Sequence, residues 1–174
     1  MIYITSDPHY GHKNYVYGTS NWEDREHNCQ PFDTVEEYNE ALVADINSKV
    51  GKDDILYILG DVSFGGVQNV KIFIDKIICR NIVLIYGNHD HNIKKLKELQ
   101  QLFTATYDYL EISNPLDEEA RIILSHYPME SWNGKEKGWI HLHGHTHGKS
   151  LVVPNRKDVY WTVTNGVYRL IDLL

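Results

Sequence analysis

Short apolar runs alternate with amphipathic segments through the first half of the chain. The apolar runs predict strands at residues 2–5, 53–61 and 81–90, and the amphipathic segments predict helices that begin after Thr34, at residue 67 and at residue 92. The first helix carries the clearest signal, because Thr34 and Glu37 match a capping box. Its apolar side chains recur at helical spacing at Val35, Tyr38, Leu42 and Ile46. The first half therefore alternates strand and helix.

Strands dominate the pattern of the second half. Residues 104–112 and 120–128 predict two strands around the turn SNPLDEE, and residues 138–148 predict another. The segment 159–174 predicts two strands that Asn165-Gly166 joins as a hairpin. Residues 6–32 predict a long irregular segment, and segments of this kind are usually functional. We expect one domain over residues 1–174, of α+β class with an α/β-type first half.

Charge and composition narrow the class of protein. The hydrophobic fraction of 42% is ordinary for a globular domain, and the net charge of −7 opposes a broad nucleic-acid footprint or an anionic membrane surface. The apolar runs are too short to span a bilayer, and Asp7 interrupts what a signal peptide would need. Cys29 and Cys79 lie far apart and form no CxxC motif, so a cytoplasmic location is expected.

Polar residues end five of the apolar runs, in "YITSDPHYGH", "YILGDV", "LIYGNHD", "IILSHYP" and "IHLHGHTHG". Strand ends are where ligands bind in sheets with helical crossovers. Together these ends supply Asp7, His9, Asp61, Asn88, His89, Asp90, His126, His145 and His147. Imidazole, carboxylate and amide oxygen are ligands for divalent transition metals, so the set suits a site for two metal ions.

The ordered set DPH, GD, GNHD, H and GHTH, from Asp7 to His147, resembles the calcineurin-like metallophosphoesterase superfamily. The segment SDPHYGHKN, which includes His12 and Asn14, resembles a subset of its small bacterial and phage members. The resemblance implies a four-layer sandwich of two mixed β-sheets flanked by helices, with the metal site at the strand ends. It also implies two divalent metal ions, for which we expect Mn²⁺ and which in the family are also Fe, Zn or Ni.

The resemblance assigns roles to individual residues. One metal ion would be held by Asp7, His9, Asp61 and His147, and the other by Asp61, Asn88, His126 and His145, with Asp61 as the bridge. Catalysis would involve His89, which would stabilise the transferring phosphoryl group or protonate the leaving oxygen, with Asp90 orienting it. Asp90 is equally suited to cap the following helix. Substrate binding would involve His12, Asn88 and His89.

Some residues keep two interpretations. Tyr127 and Trp132 could form a pocket wall for a base or an aromatic leaving group, or could simply pack. Five lysines could contact a phosphate backbone or form solvated surface: Lys94, Lys95, Lys97, Lys135 and Lys137. Within HLHGHTHG, Gly144 should let the chain turn, so His145 and His147 are the expected ligands. His143 is expected to pack, and His141 and the loop residues Trp22, Arg25 and His27 receive no role.

The sequence hypothesis is a phosphoesterase that uses a metal-bridging hydroxide. The expected substrate is a small nucleotide-like or cyclic phosphodiester, with no membrane partner and no stable nucleic-acid complex. A phosphomonoesterase or a nuclease acting on DNA or RNA ends is the alternative enzyme, and a non-catalytic metal-bound scaffold is the alternative outside enzymes. The sequence does not determine the oligomeric state.

Overall fold

The computed structural model describes residues 1–17 and 31–174, which form two mixed sheets and flanking helices, as predicted. The strands are β1 (Ile2–Thr5), β2 (Ile55–Ile58), β3 (Asn81–Ile85), β4 (Ala105–Tyr107), β5 (Leu110–Asn114), β6 (Asp117–Leu124), β7 (Ile140–His143), β8 (Arg156–Asp158) and β9 (Tyr168–Arg169). The described helices are α1 (Lys13–Tyr17), α2 (Val35–Lys49), α3 (Val67–Lys76), α4 (His91–Lys95) and α5 (Lys97–Gln100). The expectations for Trp22, Arg25, His27 and Cys29 lie outside the described residues.

The first sheet has the order β4-β3-β2-β1-β9, and the second has the order β5-β6-β7-β8. Strands β1 to β4 run parallel, β9 is antiparallel to β1, and β6, β7 and β8 run parallel beside the antiparallel β5. Within residues 1–17 and 31–174, no helix is long and apolar enough to cross a membrane.

Two hydrophobic cores hold these layers together. The first core lies between the helices and the outer face of the first sheet, where Leu42 and Phe73 pack with Leu56. The second lies between the two sheets, where Leu59 and Leu142 are both fully buried. Alternate residues of β1, β2 and β3 therefore supply opposite cores, as the two-residue period of a strand requires.

The capping box at the start of α2 forms as predicted. The hydroxyl of Thr34 accepts a hydrogen bond from the main-chain N–H of Glu37 at 3.2 Å, and the Glu37 carboxylate accepts one from the N–H of Thr34 at 3.2 Å. Both contacts satisfy N–H groups that the helix itself leaves unpaired.

Two predicted elements are divided in the structure. The predicted strand 104–112 splits into β4 and β5, which belong to different sheets, so the chain passes from one sheet to the other at Asp108-Tyr109. The predicted helix 92–102 splits at Leu96, which is extended. Ile93 and Leu99 are both buried. A continuous helix would place them on different faces at 3.6 residues per turn, and the break lets both reach the core.

The predicted hairpin at Asn165-Gly166 is wrong. The segment after β8 makes only a single bridge, between Tyr160 and Ser6, and β9 pairs with β1. Gly166 instead closes a turn by donating its N–H to the carbonyl of Thr162 at 2.7 Å. A β-carbon on Gly166 would lie 2.7 Å from the Asp45 carboxylate, so glycine is needed here for close contact with α2.

Asp45 anchors the C-terminal segment to α2. Its Oδ2 accepts hydrogen bonds from the indole N–H of Trp161 at 3.0 Å and from the main-chain N–H of Val167 at 2.9 Å. The indole is almost fully buried. These two bonds fix the path of the chain between β8 and β9, which explains why a sequence signal for a hairpin gives a docked loop.

The Asp45 anchor predicts a loss of stability on substitution. Asp45→Ala leaves the buried indole N–H without its acceptor, and we expect it to lower the free energy of unfolding by about 2 kcal/mol. Urea denaturation of chelator-treated protein measures the effect. Glu40→Ala, on an exposed position of the same helix, is the control and should change stability by less than about 0.5 kcal/mol. Equal effects of the two substitutions would contradict the anchor.

Candidate metal centre

The polar residues that follow five strands converge at one edge of the molecule. Strand β1 leads to Asp7 and His9, β2 to Asp61, β3 to Asn88 and His89, β6 to His126, and β7 to His145 and His147. The ends meet because β1, β2 and β3 run parallel in the first sheet and β6 and β7 run parallel in the second. An open cavity of about 360 Å³ lies there, lined by His9, Asp61, Asn88, His89, His145 and His147.

The first ligand group consists of Asp7, His9 and His147, all buried. Oδ2 of Asp7 accepts hydrogen bonds from the Ser6 hydroxyl at 2.6 Å and from the main-chain N–H of His145 at 2.9 Å. Oδ1 lies 3.3 Å from Nε2 of His147 and 3.7 Å from Nε2 of His9, yet it has no hydrogen-bond partner in the described part of the chain. The two Nε2 atoms are 3.1 Å apart. A cation among these three atoms would satisfy the buried oxygen.

The second ligand group consists of Asp61, His126 and His145, with Asn88 beside it. Nδ1 of His126 lies 2.7 Å from the carbonyl oxygen of Leu59, so Nδ1 carries the hydrogen and Nε2 keeps a lone pair. That Nε2 faces Oδ1 of Asn88 at 3.0 Å and Oδ2 of Asp61 at 3.6 Å. A ring nitrogen, an amide oxygen and a carboxylate oxygen face one another here, a set of ligand atoms that suits a divalent metal ion.

The protonation states suit metal binding. Burial raises the pKa of Asp7, but the neighbouring imidazoles of His147 and His9 outweigh burial and hold that pKa well below its usual range. Burial lowers the pKa of His9 to about 4, and burial also lowers the pKa of His145. Neutral imidazoles have a lone pair to donate. Burial and the nearby charge of Asp7 raise the pKa of Asp61 to about 8, so a cation that binds there at neutral pH must displace a proton.

The backbone is strained at the ligands. Left-handed φ angles between 44° and 68° occur at Asp7, His9, Asp61, His145 and His147. Residues other than glycine rarely adopt this conformation, and each such residue costs of order 1 kcal/mol. Only one other described non-glycine residue, Asn155, has a positive φ. Backbone strain is therefore concentrated where the predicted ligands lie.

Glycines allow the ligand loops to approach one another. A β-carbon on Gly144 would lie 1.8 Å from Oγ of Ser6 and 2.2 Å from Oδ2 of Asp7. Gly144 has no left-handed φ, so close packing against the β1 loop explains the glycine, and the tight turn expected from the sequence does not. Gly60, after β2, has both a φ of 90° and a β-carbon position 2.5 Å from Nδ1 of His126.

Asp90 differs from its predicted role. Its carboxylate accepts three main-chain hydrogen bonds, from the N–H groups of Asp61 at 2.8 Å, Val62 at 2.9 Å and Gly87 at 2.8 Å. It stands at the N-cap position of α4 but makes no side-chain cap. Both oxygens are thus used on the backbone, so Asp90 joins the loops after β2 and β3 and does not orient the ring of His89 by a hydrogen bond.

Asp158 was missed by the sequence analysis. Its Oδ2 accepts hydrogen bonds from the Thr146 hydroxyl at 2.6 Å and the main-chain N–H of Gly148 at 2.9 Å, and its Oδ1 accepts one from the N–H of Tyr160 at 3.1 Å. These bonds hold the GHTHG turn that carries both C-terminal ligands. No motif marks this aspartate, and β8, which it ends, was not predicted as a strand.

His89 and His12 occupy different surroundings. The side chain of His89 is 42% exposed at the cavity, its main-chain N–H donates to Oδ1 of Asp61 at 2.9 Å, and burial lowers its pKa. The ring of His12 stacks on Phe64 with centroids 3.6 Å apart, and burial lowers its pKa to about 3. His12 is therefore neutral, and among the described residues it does not belong to the cavity lining.

The two candidate wall aromatics also separate. Tyr127 is 49% exposed, and its ring centroid lies 4.7 Å from that of His145 and 5.0 Å from that of His126. Trp132 is buried, and its ring packs against His141 on the outer face of the second sheet. Only Tyr127 of this pair is close to the cavity.

The remaining sequence candidates lie elsewhere. His141 and His143 are fully buried on β7, facing away from the core between the sheets, and burial lowers the pKa of each. Among the lysines, Lys94 forms an ion pair with Asp108, and Lys135 donates to the carbonyl of Glu130 at 2.7 Å. Lys94, Lys95, Lys97, Lys135 and Lys137 are all absent from the described lining of the cavity.

The chain is similar to several known proteins. The chain is 30% identical over 173 residues to the gene 66 protein of Mycobacterium phage L5, covering 86% of this chain and 79% of that protein. It is 27% identical over 179 residues to an uncharacterized protein of Methanocaldococcus jannaschii, covering 99% and 86%. A crystal structure of a protein of unknown function from Aquifex aeolicus shares the fold, with a TM-score of 0.57, 22% identity, and coverage of 83% of this chain and 78% of that one.

A family model covers nearly the whole chain. The model for calcineurin-like phosphoesterases matches residues 1–170, which include all the strands and every residue of both ligand groups. The chain belongs to the calcineurin-like phosphoesterase family and is a metal-dependent phosphoester hydrolase.

Proposed function

We propose that the protein is a dinuclear phosphodiesterase that hydrolyses a small nucleotide-like or cyclic diester. The observation that carries the proposal is the pair of ligand groups, each with three ligand atoms within 4.8 Å of one another. Asp61 is suited to bridge them, since it lines one cavity with His9 and His147 of the first group while its Oδ2 lies 3.6 Å from Nε2 of His126 in the second.

Two divalent transition metal ions, which we expect to be Mn²⁺ with Fe, Zn or Ni as alternatives, would polarise the phosphoryl group and lower the pKa of the attacking water. The chain's part is to fix the ligands. Oδ2 of Asp7 and Oδ1 of Asp61 are occupied by hydrogen bonds, which turns the other oxygen of each carboxylate toward the imidazoles. This is the orientation that outer hydrogen bonds commonly give to metal ligands.

Charge favours a phosphate anion in the loaded cavity. Two divalent cations would more than neutralise the carboxylates of Asp7 and Asp61, so the cavity would be cationic although the whole chain carries −7. The phosphate would then meet a local positive charge that the rest of the surface does not offer.

His89 is placed to act on the phosphoryl oxygens. It is exposed in the cavity and mostly neutral, so one ring nitrogen can donate a hydrogen bond to the transferring group. The protonated form, which burial makes a stronger acid, would give its proton to the departing alcohol oxygen. Because diesters release poor leaving groups, a proton donor at His89 favours a small diester as the substrate over monoesters or nucleic-acid ends.

The location and partners remain predictions. We propose a cytoplasmic protein that binds a small phosphoester, with no membrane partner and no stable nucleic-acid complex. In the described residues Cys79 is a buried free thiol, which supports a reducing compartment.

The function predicts the effect of removing the bridging charge. Asp61→Asn should lower hydrolysis of bis-p-nitrophenyl phosphate in Mn²⁺ by about a hundredfold or more, because a ligand contributes at least as much as its outer hydrogen bonds. Asp108→Asn, at an exposed ion pair, is the matched control and should keep wild-type rates. An active Asp61→Asn protein would remove Asp61 as the bridge, and an inactive wild-type protein would contradict the diesterase.

The raised pKa of Asp61 predicts that the stability of the metal-free protein depends on pH. Its carboxyl loses its proton near pH 4 when unfolded and near pH 8 when folded, so the metal-free folded state loses stability as pH rises between these values. An asparagine at this position does not titrate and carries no such penalty. In chelator, Asp61→Asn should therefore melt a few degrees above wild type at pH 8, and the gap should close toward pH 4.

Added Mn²⁺ should reverse this order at pH 8, because wild type gains stability by binding metal and the variant gains much less. Thermal unfolding followed by circular dichroism, with and without Mn²⁺, measures both differences. An Asp61→Asn protein that is less stable than wild type in chelator at pH 8 would contradict the raised pKa of Asp61.

A further inference from the structure

Tyr127 is an exposed aromatic ring held beside the second ligand group. Four tyrosines in the described residues have large exposed side chains: Tyr17, Tyr107, Tyr109 and Tyr127. Of these, only Tyr127 has ring contacts with site imidazoles, at 4.7 Å from His145 and 5.0 Å from His126. Its ring therefore lies half in solvent, beside His145, which lines the cavity, although Tyr127 itself is not one of the described lining residues.

The backbone beneath this ring is fixed. The buried Ser125 donates its hydroxyl to the carbonyl of Tyr127 at 2.7 Å, and Pro128 disfavours a helical conformation of the residue before it. The edge contacts with the two imidazoles further limit the ring. A tyrosine side chain has only two torsions, and this ring is already held in place. A ligand that packs on it therefore costs little side-chain conformational entropy.

The position of the ring indicates which part of the substrate it meets. His89, which we place at the leaving oxygen, lies between the two groups, with its ring centroid 6.1 Å from that of His9 and its Nε2 3.9 Å from Oδ2 of Asp61. Tyr127 has ring contacts with His126 and His145 of the second group, so a diester with its leaving alcohol at His89 would extend its retained alcohol toward Tyr127.

Resting on the diesterase function above, we propose that Tyr127 is a specificity-determining residue that packs against a planar aromatic group, such as a nucleobase, in the retained alcohol of the diester. Aromatic stacking on an exposed ring tolerates any base, since every base has a π-face. The enzyme would then prefer nucleotide-like diesters to alkyl diesters without reading the base.

Matched substrates isolate this contact. Methyl, phenyl and thymidine-5′ esters of p-nitrophenyl phosphate share one leaving group and one charge and differ only in the retained alcohol. We expect wild type in Mn²⁺ to show a kcat/KM about tenfold higher for the phenyl and thymidine esters than for the methyl ester. Tyr127→Ala should bring both ratios close to one, and Tyr127→Phe should keep them.

A ratio of two kcat/KM values cancels any general loss of activity, because damage to the metal site lowers the hydrolysis rates of all three esters together. Tyr107→Ala, at an exposed tyrosine on β4, is the control and should keep wild-type ratios. A binding readout accompanies the kinetics. Calorimetry of thymidine 5′-phosphate and methyl phosphate should show tighter binding of the nucleotide to wild type, by about tenfold, and nearly equal binding to Tyr127→Ala.

The outcomes are distinct. Wild-type ratios near one, or ratios that survive in Tyr127→Ala, would overturn the role of Tyr127 and leave the diesterase intact. Selectivity for thymidine without selectivity for phenyl would show recognition of sugar or base edges and would also overturn the stacking role. No hydrolysis of any of the three esters by wild type would contradict the proposed function itself, and with it the role of Tyr127.

Discussion

The close approach of polar ligand atoms within two buried groups is the constraint on which the rest of the structure depends. Oδ1 of Asp7 is buried beside two imidazole nitrogens and has no hydrogen-bond partner in the described chain. In the second group, Nε2 of His126 faces the oxygens of Asn88 and Asp61. A cation among the atoms of each group would satisfy the buried polar atoms that meet there. The fold therefore holds in place an arrangement whose stability we expect to come from bound metal.

The two sheets supply the means of holding it. Three parallel strands of the first sheet and two of the second end at the same edge, so ligands far apart in sequence meet within a few ångströms. Three outer side chains tie the loops together: Ser6 to Asp7, Asp90 across the loops after β2 and β3, and Asp158 to the GHTHG turn. These bonds offset the strained φ angles at the ligands, which no isolated loop would maintain.

Local signals in the sequence predicted local structure well. The capping box at Thr34 and Glu37 forms, because both partners are neighbours in the chain. The ordered polar strand ends predicted a shared site, because parallel strands bring their ends to one edge. Asn165-Gly166 misled because Asp45, which lies 122 residues before its partner Val167, decides the conformation of that loop. The roles of Asp90 and Asp158 depend on loops packed by the tertiary fold, which no spacing along the chain records.

The HLHGHTHG segment also shows how little the local sequence says about tertiary packing. Alternation along β7 predicts that His141 and His143 share a face, but it does not say which face meets the other sheet. The structure places both on the outer face and sends the two histidines beyond Gly144 into the ligand groups.

We expect two cations to occupy the two ligand groups at once. Anomalous diffraction from crystals grown with Mn²⁺, recorded at the manganese edge, locates them. Two strong peaks per chain are expected, one among Asp7, His9 and His147 and one among Asp61, His126 and His145. A single peak, or peaks elsewhere on the chain with both groups empty, would show that the protein does not bind two ions at this site.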